Sequence, residues 1–104
     1  MSNSPLNRNV TVVNPQGLHA RPADLLVRKA SGFGSSILIG RDGELVDCKS
    51  ILSLLTLGAA QGTELCISAQ GDDAQAAIDA ISALFEAGFD EMNEWKDAQS
   101  AAES

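Results

Sequence analysis

The sequence predicts an α+β fold in the order β-α-β-β-α-β-α, an antiparallel sheet covered on one side by helices. Three observations carry that expectation. The candidate strands each have one apolar face, two stretches repeat apolar residues at helical spacing, and Asp42-Gly43 joins two strands across a tight turn. A chain of 104 residues suits one domain, with a core at about residues 8–88 and an acidic C-terminal extension over 89–104.

Residues 1–7 form a loose polar start. Arg8 to Asn14, with Val10, Val12 and Val13, reads as the first strand, and Pro15-Gln16-Gly17 turns the chain. The next element is a helix over Pro22 to Ala30. Proline is tolerated in a first helical turn, and Ala23, Leu26, Val27 and Ala30 follow at i, i+3, i+4 and i+7. Gly32 stops this helix as the residue just past its end. Ser35 to Arg41 is the second strand, with Ile37 and Ile39 on one face, and Leu45 to Cys48 returns from the hairpin. The Ser50 hydroxyl can cap a short, nearly all-apolar helix over Ile51 to Leu57, which Gly58 ends. Thr63 to Gln70 alternates, with Leu65, Ile67 and Ala69 on one face, as a half-buried fourth strand does. Gly71-Asp72-Asp73 caps a long helix whose buried stripe is Ala74, Ala77, Ile78, Ile81, Leu84 and Phe85. Its outer face carries Gln75, Asp79, Ser82 and Glu86. Gly88 either ends that helix or weakens it. Phe89, Met92 and Trp95 can dock as a further turn or two, with fraying from Lys96 onward.

Aromatic residues make up only 4% of the chain, so the core must be aliphatic. The net charge of −7 argues against nucleic acid as a main partner and against anionic membrane surfaces, because phosphate contacts need clustered Lys and Arg. The charge is uneven. Arg8, Arg21, Arg28, Lys29, Arg41 and Lys49 lie in the first half, whereas from Ser50 onward the chain is acidic with Lys96 as its only base. The longest strongly apolar stretch, Ile51 to Ala60, is too short to insert across a bilayer. The first five residues carry no secretory signal pattern, so a cytoplasmic location is expected. Cys48 and Cys66 fit neither a CxxC motif nor a zinc cluster and read as two free thiols. No metal and no organic cofactor is implied.

His19, the only histidine, stands in Gly17-Leu18-His19-Ala20-Arg21-Pro22-Ala23. Pro22 places it at or just before a helix N-terminus, where backbone amides and the positive dipole end favour anions, phosphate above all. Imidazole is a nucleophile near neutral pH because much of it is unprotonated. Arg21 adds a planar, permanently charged fork suited to phosphate oxygens. Together they read as a histidine that carries a phosphoryl group. Such chemistry needs positioning and charge neutralisation more than acid–base machinery. A phosphoramidate also gives its phosphate up readily, which a serine phosphate does not. A hydrolase or mutase has less support, since the chain offers no second histidine as acid or base. Gly17 lets the backbone turn sharply in front of the site. Ile51, Leu52 and Leu55 either enter the core or form an exposed docking patch.

These residues, with Lys49-Ser50-Ile51-Leu52, Thr56-Leu57-Gly58 and Gln61-Gly62-Thr63, resemble in order and spacing the HPr family. Its members are the histidine-containing phosphocarriers of the bacterial phosphoenolpyruvate-dependent sugar phosphotransferase system. The resemblance covers roughly Asn9 to Glu86. It implies an open-faced β-sandwich, a four-stranded antiparallel sheet with three helices on one face. It also implies that His19 accepts a phosphoryl group from phospho-Enzyme I, on Nδ1, and passes it to sugar-specific IIA proteins or domains. Arg21 would pair with the phosphate, with Gly17 and Ala20 beside it. Ser50 matches the serine that an HPr kinase/phosphorylase modifies in many lineages, and phosphate there would sit at a favourable helix end. Partners would dock on Ile51, Leu52 and Leu55, flanked by Arg28 and Lys49. The protein is then a covalent phosphoryl-transfer intermediate rather than a stand-alone turnover enzyme.

Three features depart from the family pattern. Asp24 stands in the first turn of the helix where a small apolar residue is usual, and it competes there with phosphate for positive charge. Ser31 replaces a common lysine, and the tail beyond Phe89 is longer than usual. Two alternatives remain open: a regulatory binding module of the same fold acting through Ser50 phosphorylation, and a carrier in a nitrogen-linked phosphorelay. The retained His19 and Arg21 favour the sugar-system carrier.

Overall fold

The computed structural model describes residues 4–41 and 43–90. In chain order the elements are β1 (Leu6–Thr11), α1 (Ala20–Ser31), β2 (Ser36–Arg41), β3 (Glu44–Asp47), α2 (Ile51–Leu57), β4 (Glu64–Gln70) and α3 (Ala74–Glu86). A short 3-10 turn over Gly88–Asp90 follows. The strands form one antiparallel sheet in the order β1-β4-β2-β3. The expected α+β class and element order hold.

The register explains the two faces of the sheet. Val10 pairs with Leu65, Ile39 with Ile67 and Ile37 with Ala69, and all six are buried. The alternate positions, Asn9 opposite Cys66 and Asn7 opposite Ser68, lie on the other, open face. α3 lies across β1, β4 and β2, while α1 packs against α2 and α3. The core is accordingly aliphatic, with Leu26, Leu54, Ile78 and Ile81 from the helices meeting the sheet. Phe85 and Phe89 add an edge-to-face pair, with centroids 4.9 Å apart and planes at 71°.

Several local expectations change. β1 stops at Thr11 and not at Asn14. Beyond it, Val12 donates to Thr63 O at 2.9 Å and accepts from Gly62 N at 2.7 Å, after which Asn14 folds inward under the next turn. α1 begins two residues before Pro22, which the first turn tolerates because Pro22 lacks only an N–H that has no helical acceptor. Gly32 caps α1 with φ −75°, a right-handed residue and not a left-handed terminator, and its amide is shared between Lys29 O and Ala30 O. Asp24 therefore falls in the second turn, where its carboxylate takes Arg28 Nε at 2.8 Å. β3 ends at Asp47, and its Glu44 pairs with Arg41 across the two-residue turn that Asp-Gly predicts.

The long helix shows two further corrections. Ser82 is buried, 2% exposed, although helical periodicity places it outward; Arg8 Nη1 reaches its hydroxyl at 3.4 Å. The same guanidinium bonds Asp79 at 2.8 Å. Asp73 stands at the N-cap of α3, but its carboxylate does not cap the helix. It accepts instead from Gly34 N and Ser35 N, both at 2.9 Å, and from the Ser35 hydroxyl. The start of α3 is thereby tied to the chain entering β2. α3 ends at Glu86, so Gly88 lies past its end, and Phe89 is buried. Met92, Trp95 and the extension from residue 91 lie outside the described residues.

Candidate functional site

The loop before α1 is built by residues far apart in sequence. Leu18 is buried, and its amide donates to Ala59 O at 2.9 Å. Gly17 takes φ +69°, a left-handed conformation that favours glycine. A Cβ there would collide with the Ala59 carbonyl oxygen and stand 3.0 Å from Ala60 Cα. The chain after α2 thus backs directly onto the residues before His19. Gln61 Nε2 donates to Val13 O at 3.0 Å and closes the same seam.

His19 is the N-cap residue of α1, with φ −87° and ψ −167°. It is half-buried, and its imidazole does not itself cap the helix. Its carbonyl accepts the first helical bond, from Ala23 N at 3.1 Å. The amides of Ala20 and Arg21 precede that bond and sit at the positive end of a 12-residue helix. Ala20 and Arg21 are exposed. Arg28 and Lys29 stand in the last turn, where cations suit the dipole's negative end. Asp24 engages Arg28 one turn further on, so the acid foreseen in the first turn has a cation of its own.

α2 continues the surface from this loop. Leu54 is fully buried, whereas Ile51, Leu52 and Leu55 are 37%, 73% and 39% exposed. Gly58 closes the helix in the left-handed conformation expected of it, and Ala59 then meets Leu18. The apolar patch therefore begins one turn from the His19 loop. Ser50 caps the opposite end of α2, accepting from Ser53 N at 3.3 Å. Seven residues of helix, roughly 10 Å at 1.5 Å per residue, separate Ser50 from the His19 side. Lys49 reaches away from the patch, with Nζ donating to Phe33 O at 2.9 Å beyond the end of α1. Arg28 is exposed on the outer face of α1. Cys48 and Cys66 are free thiols; burial first, and the Asp47 carboxylate second, push the Cys48 thiol up to about 12.

Sequence reasoning missed Asn14. It is 0% exposed, and its Nδ2 donates to Gly17 O at 2.8 Å. The Asn-Pro pair at 14–15, a turn-initiating signal, was the clue available. Among the described residues no helix is long and apolar enough to cross a membrane.

The family model for the phosphotransferase-system HPr component phosphorylation site matches residues 6–87. The chain belongs to the HPr family. The HPr phosphocarrier of Treponema pallidum is 43% identical over 84 residues, which are 81% of this chain and 96% of that protein. The crystal structure of HPr-C-His from Thermoanaerobacter tengcongensis superposes with a TM-score of 0.77 at 42% identity. That match covers 81% of this chain and 94% of the other. The multiphosphoryl transfer protein of Haemophilus influenzae is 40% identical over 83 residues, 77% of this chain but only 17% of that longer protein. The HPr-family chain is thus a phosphocarrier of the phosphotransferase system, and its four-stranded sheet and three helices match those of HPr structures.

Proposed function

We propose that His19 is the phosphoryl acceptor, loaded by phospho-Enzyme I from phosphoenolpyruvate and unloaded onto sugar-specific IIA proteins or domains. The observation that carries this reading is the place of His19 at the N-cap of α1, with Arg21 exposed in the first turn. In the loading step an unprotonated ring nitrogen attacks phosphorus in line. The new P–N bond forms as the donor's bond to that phosphorus breaks, and the reverse exchange delivers the group onward. The Ala20 amide, presented by the turn at Gly17, and the Arg21 guanidinium meet the charge of the transferring group. Partners dock on Ile51, Leu52 and Leu55, the exposed apolar residues of α2, with the exposed Arg28 as a flanking charge, while Lys49 is held on Phe33 O and takes no part.

Ser50 serves as a regulatory phosphorylation site in this reading. Modification by an HPr kinase/phosphorylase would put a dianion at the far end of the same patch and repel an acidic partner without refolding. The described core and the extension from residue 89 form one domain, working in the cytoplasm.

The test is intact mass at alkaline pH after incubation with phosphoenolpyruvate and bacterial Enzyme I. One phosphoryl group, lost in acid and absent from His19→Ala, is expected. No gain, alongside acid-stable labelling of Ser50 by the kinase, would replace the carrier reading with that of a regulatory module.

A further inference from the structure

We propose that Asn14 is a positioning residue for His19, acting through the peptide of Gly17. The inference rests on His19 as the acceptor. Asn14 is fully buried between the end of β1 and the His19 loop, and it grips Gly17 twice. Its Nδ2 donates to Gly17 O at 2.8 Å, and its own carbonyl accepts from Gly17 N at 3.1 Å. Gly17 O in turn accepts the backbone N–H of His19 at 3.0 Å. One carbonyl oxygen therefore joins the Asn14 side chain to the acceptor's backbone.

Gly17 C=O and Leu18 N–H belong to one planar peptide, held on its N–H side by Ala59 O and on its C=O side by Asn14 Nδ2. The first turn of α1 is anchored by the Ala23–His19 bond. The two bonds on the Gly17–Leu18 peptide together set its tilt, and with it where the His19 amide and the Cα–Cβ direction of the imidazole lie. A contact from an amide to a carbonyl two residues back closes a small ring and tolerates rotation of the peptide. The buried Asn14 amide restrains that rotation from the carbonyl side, opposite the Ala59 bond, with a hydrogen bond of normal length. In-line transfer depends on such placement, because a misplacement of about 1 Å can cost about a hundredfold in rate.

Asn14 is fully buried and bonds the Gly17 peptide, whereas docking uses the exposed residues of α2, so its loss is expected in the transfer step and not in recognition. The experiment measures kcat and KM for phosphate uptake from phospho-Enzyme I. Wild type is compared with Asn14→Ala and with the isosteric Asn14→Asp, which sets an oxygen opposite Gly17 O. Ile81→Val serves as a core variant remote from the loop. Both Asn14 variants are expected to lose about ten- to a hundredfold in kcat with KM within about twofold, while Ile81→Val keeps wild-type kcat. A folded Asn14 variant with wild-type kcat, or a rise in KM alone, overturns the proposal while His19 uptake in the wild type stands. A wild type that takes up no phosphate on His19 overturns both readings. Amide exchange in the wild type gives a measurement that needs no variant. The Asn14 side-chain amide protons are expected to exchange slowly, and exchange at the rate of an exposed amide overturns the proposal.

Discussion

Gly17→Ala tests the seam between the His19 loop and the chain after α2. Two costs add. An L-residue at φ +69° gives up roughly 1–2 kcal/mol relative to glycine. The new methyl group would also collide with Ala59 O and press on Ala60 Cα at 3.0 Å. Relieving it means moving backbone, not a flexible side-chain end, and it strains the 2.9 Å bond from Leu18 N to Ala59 O. Overpacking of this kind costs roughly 1–3 kcal/mol. The expected total is about 2–5 kcal/mol, a large share of the stability of a domain this size. At about 4–8 °C per kcal/mol the melting temperature should fall by at least about 8 °C. Gly62→Ala separates the two costs. Gly62 has φ +89°, but nothing lies within 4 Å of the position its Cβ would take. It should show only the conformational cost. Urea unfolding of wild type and both variants gives the comparison, provided the m-value is unchanged. Equal destabilisation by the two substitutions would refute the close approach of Gly17 to Ala59, and a loss below about 0.5 kcal/mol at Gly17 would refute the left-handed turn as well.

Other consequences are open to direct measurement. The Asp73 carboxyl is held below its ordinary 3.8, first by the Ser35 hydroxyl and next by the Gly34 amide. A depressed folded-state value means the unfolded chain binds that proton more readily, so the contribution is complete above 3.8 and disappears as pH falls through the folded value. Asp73→Asn should therefore be less stable than wild type at neutral pH and should lose less on acidification; parallel stability curves for the two proteins would contradict this. A thiolate-selective reagent at pH 8 should label Cys66 in the folded protein and leave Cys48 untouched, since burial pushes the Cys48 thiol up to about 12. Rapid labelling of both without denaturant would argue against the burial of Cys48. Leu54→Ala should cost about 2–5 kcal/mol, and Leu52→Ala less than about 0.5 kcal/mol, because only Leu54 enters the core. Similar losses by calorimetry would mean that α2 is rotated about its axis.

The elements were legible where one local rule governed them. Ile51 to Leu57 matches α2 at both ends because a serine cap and a terminating glycine bracket it. Asp42-Gly43 announced the β2–β3 hairpin by turn chemistry alone. Alternation in β4 marked Leu65, Ile67 and Ala69 as the inner face. Readings failed where a distant partner intervened. Ser82 turns inward because Arg8, 74 residues away, supplies a partner for its hydroxyl. Asp73 leaves its helix because Gly34 and Ser35 offer three donors at once. Asn14 drew no notice because its task is set by a turn whose shape depends on Ala59.

By itself the sequence determined the class of the fold and the order of its elements, and it singled out the residue proposed to hold a phosphoryl group. Periodicity, turn residues and the chemistry of one imidazole beside one guanidinium are local properties, present in the chain before it folds. Only the tertiary structure decided which residues shape the loop that leads into His19. The loop at His19 is shaped by Asn14 from one side and by the chain after α2 from the other. Likewise, the split of α2 into a buried Leu54 and an exposed Ile51, Leu52 and Leu55 follows from the packing of α1 against it. Contacts between segments some 40 residues apart carry no local signature, because each half is an ordinary loop or helix until the other arrives.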